Sequence, residues 1–348
     1  MTTPTRLVAA TGLVLSTLAL AACGNDDAAP VAAPPAGQAD PTDPAERADT
    51  HGHPITIENC GVEVTVEAPP ERAVTLNKPV TEIMLALGLK DQLLAVAGEP
   101  DEYVAPLVAD DFADVEVLVD RDYPSLEALL DVEPDFVYAS YPSAYRDENL
   151  GSRDNFADLG IPTFLSVGRC ENEPDDEPMS IEDIWFEIEL IASIFNVEDR
   201  AAELIAEQKQ QLEATLESIG DLPQQSVFWW DMNTDAPFVG ACCGAPAMII
   251  EALGFENVFS DIGGHWADTS WEQVIERDPD LIVVADFGNG DIDTKLDFLN
   301  SDPTLSKLRA VQDGAVLTLP FAATTPGIQT VTTVGALADA ARDAAEAR

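Results

Sequence analysis

The chain has 348 residues and carries 64 Asp and Glu against 17 Lys and Arg, a formal net charge of −47. That balance excludes nucleic-acid binding as a main role, because a phosphate-binding surface needs clustered Lys and Arg. Hydrophobic residues make up 46% of the chain, enough for a sizeable core, and the length suits two domains or lobes of about 100–200 residues each. The acidity has two readings, a solvated surface or a field that draws in a cationic ligand, and composition does not separate them.

The first segment, residues 1–22, reads as an export signal. Arg6 supplies a basic start and Leu7 to Ala22 is apolar or small, a length that suits a signal core better than a membrane span. It ends in Leu20-Ala21-Ala22-Cys23-Gly24, which resembles a bacterial lipobox. The resemblance implies cleavage before Cys23 and a lipid on its sulfur, with two or three acyl chains giving stable anchoring. Residues 23–53 are rich in Ala, Pro, Asp and Gly and read as a disordered tether, with His51 and His53 at its end.

Short β-rich runs then alternate with helical stretches. Ile55-Thr56-Ile57 and Val62–Glu67 suggest an opening hairpin through Asn59-Cys60-Gly61. Strands are expected at Arg72–Leu76, Leu93–Ala97, Val115–Val119, Phe136–Ser140 and Pro162–Val167. Helices are expected at Val80–Leu87, Leu126–Val132 and Ser152–Leu159, the first and last closed by Gly88 and Gly160. This alternation argues for a mainly parallel sheet with helices on both faces.

Ser180-Ile181-Glu182-Asp183 is a plausible capping box opening a helical region that Asn196-Val197 interrupts. Glu198 to Ser218 is helical and heavily charged, and a helix of that length spans about 30 Å, which suits a strut joining two lobes. The second half repeats the alternation. Strands are expected at Val227–Asp231, Leu281–Ala285 and Val316–Leu319, and helices at Ala245–Leu253, Glu272–Glu276 and from Val331 onward. The organisation expected is therefore an N-terminal α/β lobe at 54–179, a helical connector at 180–221 and a C-terminal α/β lobe at 222–348.

Two internal echoes support similar lobes. Ser125-Leu126-Glu127 leads to Pro134-Asp135-Phe136, and Ser270-Trp271-Glu272 leads to Pro279-Asp280-Leu281. Leu85-Ala86-Leu87-Gly88-Leu89 is matched by Glu251-Ala252-Leu253-Gly254-Phe255. In open α/β sheets ligands sit outside the carboxyl ends of strands. That rule selects Asn77, Lys78, Tyr141, Arg146 and Arg169 from the first lobe, and Trp230, Asp231, Trp266, Phe287, Phe321 and Thr324 from the second. Loop aromatics suit flat, partly apolar chelates, and Arg or Lys suit their oxygens. Trp229 and Trp230 are neighbours in a strand and face opposite sides, so at most one lines a cleft, and Trp230 is the choice.

With these segments in view, the chain from about Ile57 onward resembles the substrate-binding lipoproteins of ABC importers, in the iron-siderophore and cobalamin group. The carriers are Arg72-Ala73-Val74-Thr75-Leu76 with Thr81-Glu82-Ile83-Met84-Leu85, Pro124-Ser125-Leu126-Glu127 with Glu133-Pro134-Asp135-Phe136-Val137, Trp271-Glu272-Gln273-Val274-Ile275, and Asp278-Pro279-Asp280-Leu281. The resemblance implies two Rossmann-like α/β lobes joined by one long helix, with ligand in the cleft between them. It implies that Glu127 and Glu272, one on each lobe, dock on arginines of the permease dimer. It also implies a monomer at the extracytoplasmic face of the cell membrane, anchored through Cys23, with no catalytic role and no resident cofactor.

A ferric siderophore is the ligand the resemblance favours, with cobalamin or haem as the alternative. Direct Zn or Mn binding needs a His and carboxylate cluster, and His265 is the one histidine inside the folded region. Tyr141 or Tyr145 could serve haem as an axial ligand. The acidic chain would repel a trianionic ferric catecholate, which tilts the choice toward neutral or cationic ferric hydroxamates. No Gly-x-Ser-x-Gly elbow, phosphate loop or hydrolase His pair points to an enzyme. Export makes disulfides available, and four cysteines allow three pairings. Cys60 and Cys170 flank the first lobe and are expected to pair, while Cys242 and Cys243 form either a vicinal disulfide or two free buried thiols.

Overall fold

The computed structural model describes residues 52–98, 103–119, 122–170, 177–220, 222–288 and 290–346. The signal segment 1–22, Cys23, the tether up to His51 and the Arg169 side chain lie outside the described residues. The chain opens with the antiparallel hairpin β1 (Ile55–Asn59) and β2 (Val62–Val66). The first lobe follows as β3 (Ala73–Leu76), α1 (Lys78–Ala86), β4 (Leu93–Ala97), α2 (Ala109–Phe112), β5 (Val117–Val119), α3 (Leu126–Asp131), β6 (Phe136–Ala139), α4 (Arg153–Asp158) and β7 (Thr163–Leu165). Helices α5 (Ile181–Phe195) and α6 (Glu198–Ile219) come next. The second lobe is β8 (Ser226–Met232), β9 (Phe238–Gly240), α7 (Ala245–Glu251), β10 (Glu256–Asn257), β11 (Trp266–Asp268), α8 (Trp271–Arg277), β12 (Leu281–Asp286), α9 (Asp291–Ser301), α10 (Arg309–Gln312), β13 (Val316–Pro320) and α11 (Thr330–Glu346).

The first-lobe sheet runs β5-β4-β3-β6-β7 and every pairing in it is parallel. The second runs β11-β9-β8-β12-β13 with β10 beside β8; β8, β10, β12 and β13 are parallel, and β9 and β11 add an antiparallel margin. The expected α/β fold of two lobes around a long helix is therefore present. The strut is α6, whose 22 residues reach about 33 Å. The helix before it starts on the expected capping box: Ser180 caps Asp183 and Asp183 returns a carboxylate to the Ser180 amide at 2.7 Å. It ends where Asn196 turns into the left-handed region, φ 58°.

The two sequence echoes perform the same structural task in each lobe. Asp135 precedes β6, and its carboxylate accepts the Glu71 and Arg72 amides at 2.8 and 2.9 Å, fixing the start of β3 beside it. Asp280 precedes β12, and its carboxylate accepts the Ser226 amide and hydroxyl at 3.1 and 2.8 Å, fixing the start of β8. The glycine echo ends a helix in both lobes. Gly88 and Gly254 have φ of 67° and 68°, a region where a side chain is disfavoured. Each donates to the carbonyl three residues back at 2.8 Å.

A buried polar cluster binds the hairpin to the first lobe. The Arg153 guanidinium donates to Asn59 O and Oδ1, both at 2.8 Å, and to Thr163 Oγ1 and O at 3.0 and 2.9 Å. Asn59 in turn exchanges hydrogen bonds with the Leu165 backbone at 2.8 Å each way. Beside it, Cys60 is bonded to Cys170, and in the second lobe Cys242 is bonded to its neighbour Cys243. On α5, Glu187 accepts from the Tyr138 hydroxyl, Ser166 Oγ and the Val167 amide, coupling β6 and the end of β7 to that helix. Burial first, and then the Glu187 charge, push the Tyr138 hydroxyl well above its usual pKa. Arg153→Met strips partners from two buried carbonyls and is expected to cost about 2–4 kcal/mol in urea unfolding.

Candidate ligand cleft and docking surface

Parallel strands buried on both faces leave their carboxyl ends as the accessible edge. Trp229 and Trp230 show this directly. They point into different core clusters, one on each face of β8, and both are fully buried. Trp230 therefore does not line the cleft as the sequence reading had it. Its indole N–H donates to Met232 O and Asn233 O at 3.0 and 2.9 Å, and its ring packs edge-on against Trp271 at 4.9 Å. Thr324 is likewise sealed, its hydroxyl spent on Phe321 O at 2.7 Å. Asp231, Asn77 and Lys78 are buried too, so none of them presents its side chain at the surface.

The structure brings Phe287 and Phe321 together. They follow the neighbouring strands β12 and β13, and their rings stack at 4.5 Å and 25°. Lys295 of α9 lies against the first of them, its Nζ 4.9 Å from the Phe287 ring centre. That ammonium is buried and donates to Asp231 O and Ala285 O at 2.7 and 2.6 Å, beside Asp291 Oδ2 at 2.5 Å. From the opposite lobe the Tyr103 hydroxyl donates to Asp286 Oδ2 at 2.9 Å. Among the described residues the edge thus carries two exposed or half-buried rings, a carboxylate and a phenol.

The other expected residues are spread more widely. Tyr141 and Arg146 flank a 3-10 turn after β6, the first half-buried and the second exposed. Asn77 takes φ 81° at the start of α1, and its Oδ1 accepts from the Tyr123 hydroxyl at 3.4 Å. Gly98 leaves room for it, since a Cβ there would lie 2.9 Å from Asn77 Nδ2. Trp266 stacks on Phe238 at 5.9 Å on the antiparallel margin, away from the Phe287 pair in strand order. A separate cavity of about 450 Å³ lies beside Cys60, Cys170 and His265. Among the described residues there is no cluster of three or more His, Cys, Asp or Glu arranged to hold a metal ion.

Tyr103, Tyr123, Asp286 and Lys295 were not picked out from the sequence, nor was the contact between Glu82 and Gln329 that joins the lobes. Glu82 had a visible signal, a lone acid within the apolar run Val80–Leu87. Lys295 lies in α9, an 11-residue helix that starts after Gly290 with no side-chain cap to mark it in the sequence.

Glu127 and Glu272 stand at matching places. Each is the second residue of a short helix, after Ser125 on α3 and Ser270 on α8, and each is exposed. Hydrogen bonds from its own backbone amide and from Ser270 hold the Glu272 carboxyl below its usual pKa. A carboxylate in the first turn also gains from the helix dipole.

The periplasmic binding protein family profile matches residues 74–323, across both sheets. The chain belongs to that family. Over 216 residues, 62% of this chain and 69% of the relative, it is 27% identical to a vitamin B12-binding protein of Yersinia pestis (strain Pestoides F). A periplasmic binding protein from Veillonella parvula superposes with a TM-score of 0.74 at 27% identity, covering 82% of this chain and 96% of that one. An ABC-type Fe3+-hydroxamate transport system protein from Saccharomonospora viridis gives 0.71 at 25% identity, covering 83% and 99%. As a periplasmic binding protein the chain is a non-enzymatic, extracytoplasmic substrate-binding protein, which implies a ligand and an ABC permease as its partners.

Lys295→Met removes the donor that two buried carbonyls share. It is expected to lower stability by about 2–3 kcal/mol in urea unfolding and to loosen the Phe287 ring.

Proposed function

We propose that this periplasmic binding protein captures a ferric siderophore of the neutral or cationic hydroxamate type and delivers it to an ABC importer. The observation that carries this reading is the stacked Phe287–Phe321 pair at the strand ends, in a chain many of whose described cations pair with its own carboxylates and carbonyls. Lys90 pairs with Asp111 and Asp114, Arg277 with Asp261, Arg309 with Asp278 and Asp280, and Arg342 with Asp339. Arg153 is spent on backbone carbonyls and side chains of Asn59 and Thr163, and Arg200 on the Leu87 and Gly88 carbonyls. With a net charge of −47, the surrounding field disfavours a trianionic catecholate and favours a neutral or cationic chelate. The likeness to the Fe3+-hydroxamate protein supports the same class. The vitamin B12-binding relative supports cobalamin as the second reading.

In this proposal Glu127 and Glu272 are the permease contacts, each exposed at a helix start where an arginine could pair with its carboxylate. Cys23 carries the lipid that holds the protein at the membrane, and Cys23→Ser is expected to move it into the soluble fraction. Tryptophan fluorescence titrations with ferric trihydroxamates, ferric catecholates, haem, cobalamin and free Fe³⁺ test the ligand. Saturable quenching by the trihydroxamates and not by free iron is expected; saturation by cobalamin or haem alone would replace the cargo. Glu127→Ala combined with Glu272→Ala is expected to cut uptake at least tenfold while leaving the dissociation constant within about twofold. A large loss of affinity in that double variant would sink the docking role.

A further inference from the structure

Asp286 ends β12 in register with Pro320 of β13, one position before the stacked Phe287 and beside the strand that leads to Phe321. It is half-buried. Its Oδ1 accepts the Gly288 amide and its Oδ2 accepts the Tyr103 hydroxyl from the other lobe, both at 2.9 Å. A carboxylate offers about four acceptor sites, so it has capacity to spare. No Lys or Arg among the described residues forms an ion pair with it. Lys295 lies against the same Phe287 ring, yet its three ammonium hydrogens are matched by Asp231 O, Ala285 O and Asp291 Oδ2. Asp291 answers the Lys295 charge, and the Asp286 charge is left unanswered.

A ligand resting on the Phe287–Phe321 stack covers this carboxylate. A neutral ligand would take it further from water without supplying a counter-charge, and an anionic one would add repulsion. A primary ammonium supplies both a charge and three N–H donors. One donor fits the open capacity of Asp286. Another fits the Tyr103 phenol oxygen, which can accept while its own hydrogen stays on the carboxylate. The adjoining rings offer apolar contact to the methylene chain that carries such a group.

We propose that Asp286 is a specificity-determining residue that receives an alkylammonium arm of the ligand, with Tyr103 of the other lobe as its partner. Among ferric hydroxamates the protein then selects those with a pendant ammonium over neutral ones. That selection rests on the function proposed above, whereas the ammonium subsite itself does not. The two lobes contribute one acceptor each, so an arm seated between them ties cargo recognition to the contact that joins Tyr103 and Asp286 across the cleft.

Calorimetric titration of the full chain compares ferrioxamine B, whose ferric trihydroxamate carries a pendant ammonium, with its N-acetylated form, which keeps the iron cage and loses the charge. The wild type is expected to bind the ammonium form about tenfold more tightly. Asp286→Asn retains an oxygen for the Gly288 amide and is expected to bring the ratio of the two dissociation constants close to one. General damage to the cleft weakens both complexes alike and leaves that ratio unmoved. Equal affinities in the wild type, or a preference that survives in Asp286→Asn, would overturn the assignment. Should neither complex bind, the hydroxamate reading of the function falls, and n-pentylammonium followed by NMR decides the subsite. Shifts at the Gly288 amide and the Phe287 and Phe321 rings, absent with n-pentanol and absent in Asp286→Asn, uphold it. No shifts, or the same shifts with n-pentanol, refute it.

Discussion

Covering both faces of a parallel sheet is the constraint from which the rest of this molecule follows. Once helices seal the two faces, a side chain in the middle of a strand is core whatever its chemistry, and recognition is confined to the turns beyond the strands. β8 illustrates the rule: two adjacent tryptophans, pointing opposite ways, are both lost to solvent. Phe287 and Phe321 escape it because they lie one residue past β12 and β13. The same constraint explains the aspartates before β6 and β12. A strand that is buried on both faces needs its first amide satisfied at the margin, and each aspartate does that for the strand alongside.

Charge is distributed by a related logic. The acids outnumber the bases heavily, yet the bases are concentrated where backbone carbonyls or strand starts need them. Arg153 holds the hairpin, Arg200 closes the end of α1, and Arg309 reaches the Asp278–Asp280 corner. The excess of carboxylates remains outside, as a field rather than as a site. In the proposed reading, repulsion of an anionic cargo is a property of the whole surface, with the aromatic edge supplying contact.

The sequence made the fold legible because its signals were local and repeated. Pro-Asp ahead of β6 and β12, and Leu-Gly at the ends of α1 and α7, carry the same meaning at both places. The antiparallel margin of β9 and β11 was missed because its strands are three residues long and flanked by breakers such as Pro237, Gly244, Gly263 and Gly264. The cleft was legible only as a set of strand ends. Hydropathy could not tell Trp230 from an exposed ring, since both faces of its strand are apolar. Contacts between Glu82 and Gln329, 247 residues apart, or Tyr103 and Asp286, 183 apart, leave no local pattern to read.

The Cys60–Cys170 bond spans 110 positions and so encircles β3 through β7, the entire first-lobe sheet. A backbone cut at any exposed turn inside that circle, such as the one after α4, would yield two pieces still tied together. A protein working outside the cytoplasm meets proteases. For this lobe a nick would be survivable, since the fragments stay at one another's side and the sheet can persist without an unbroken chain.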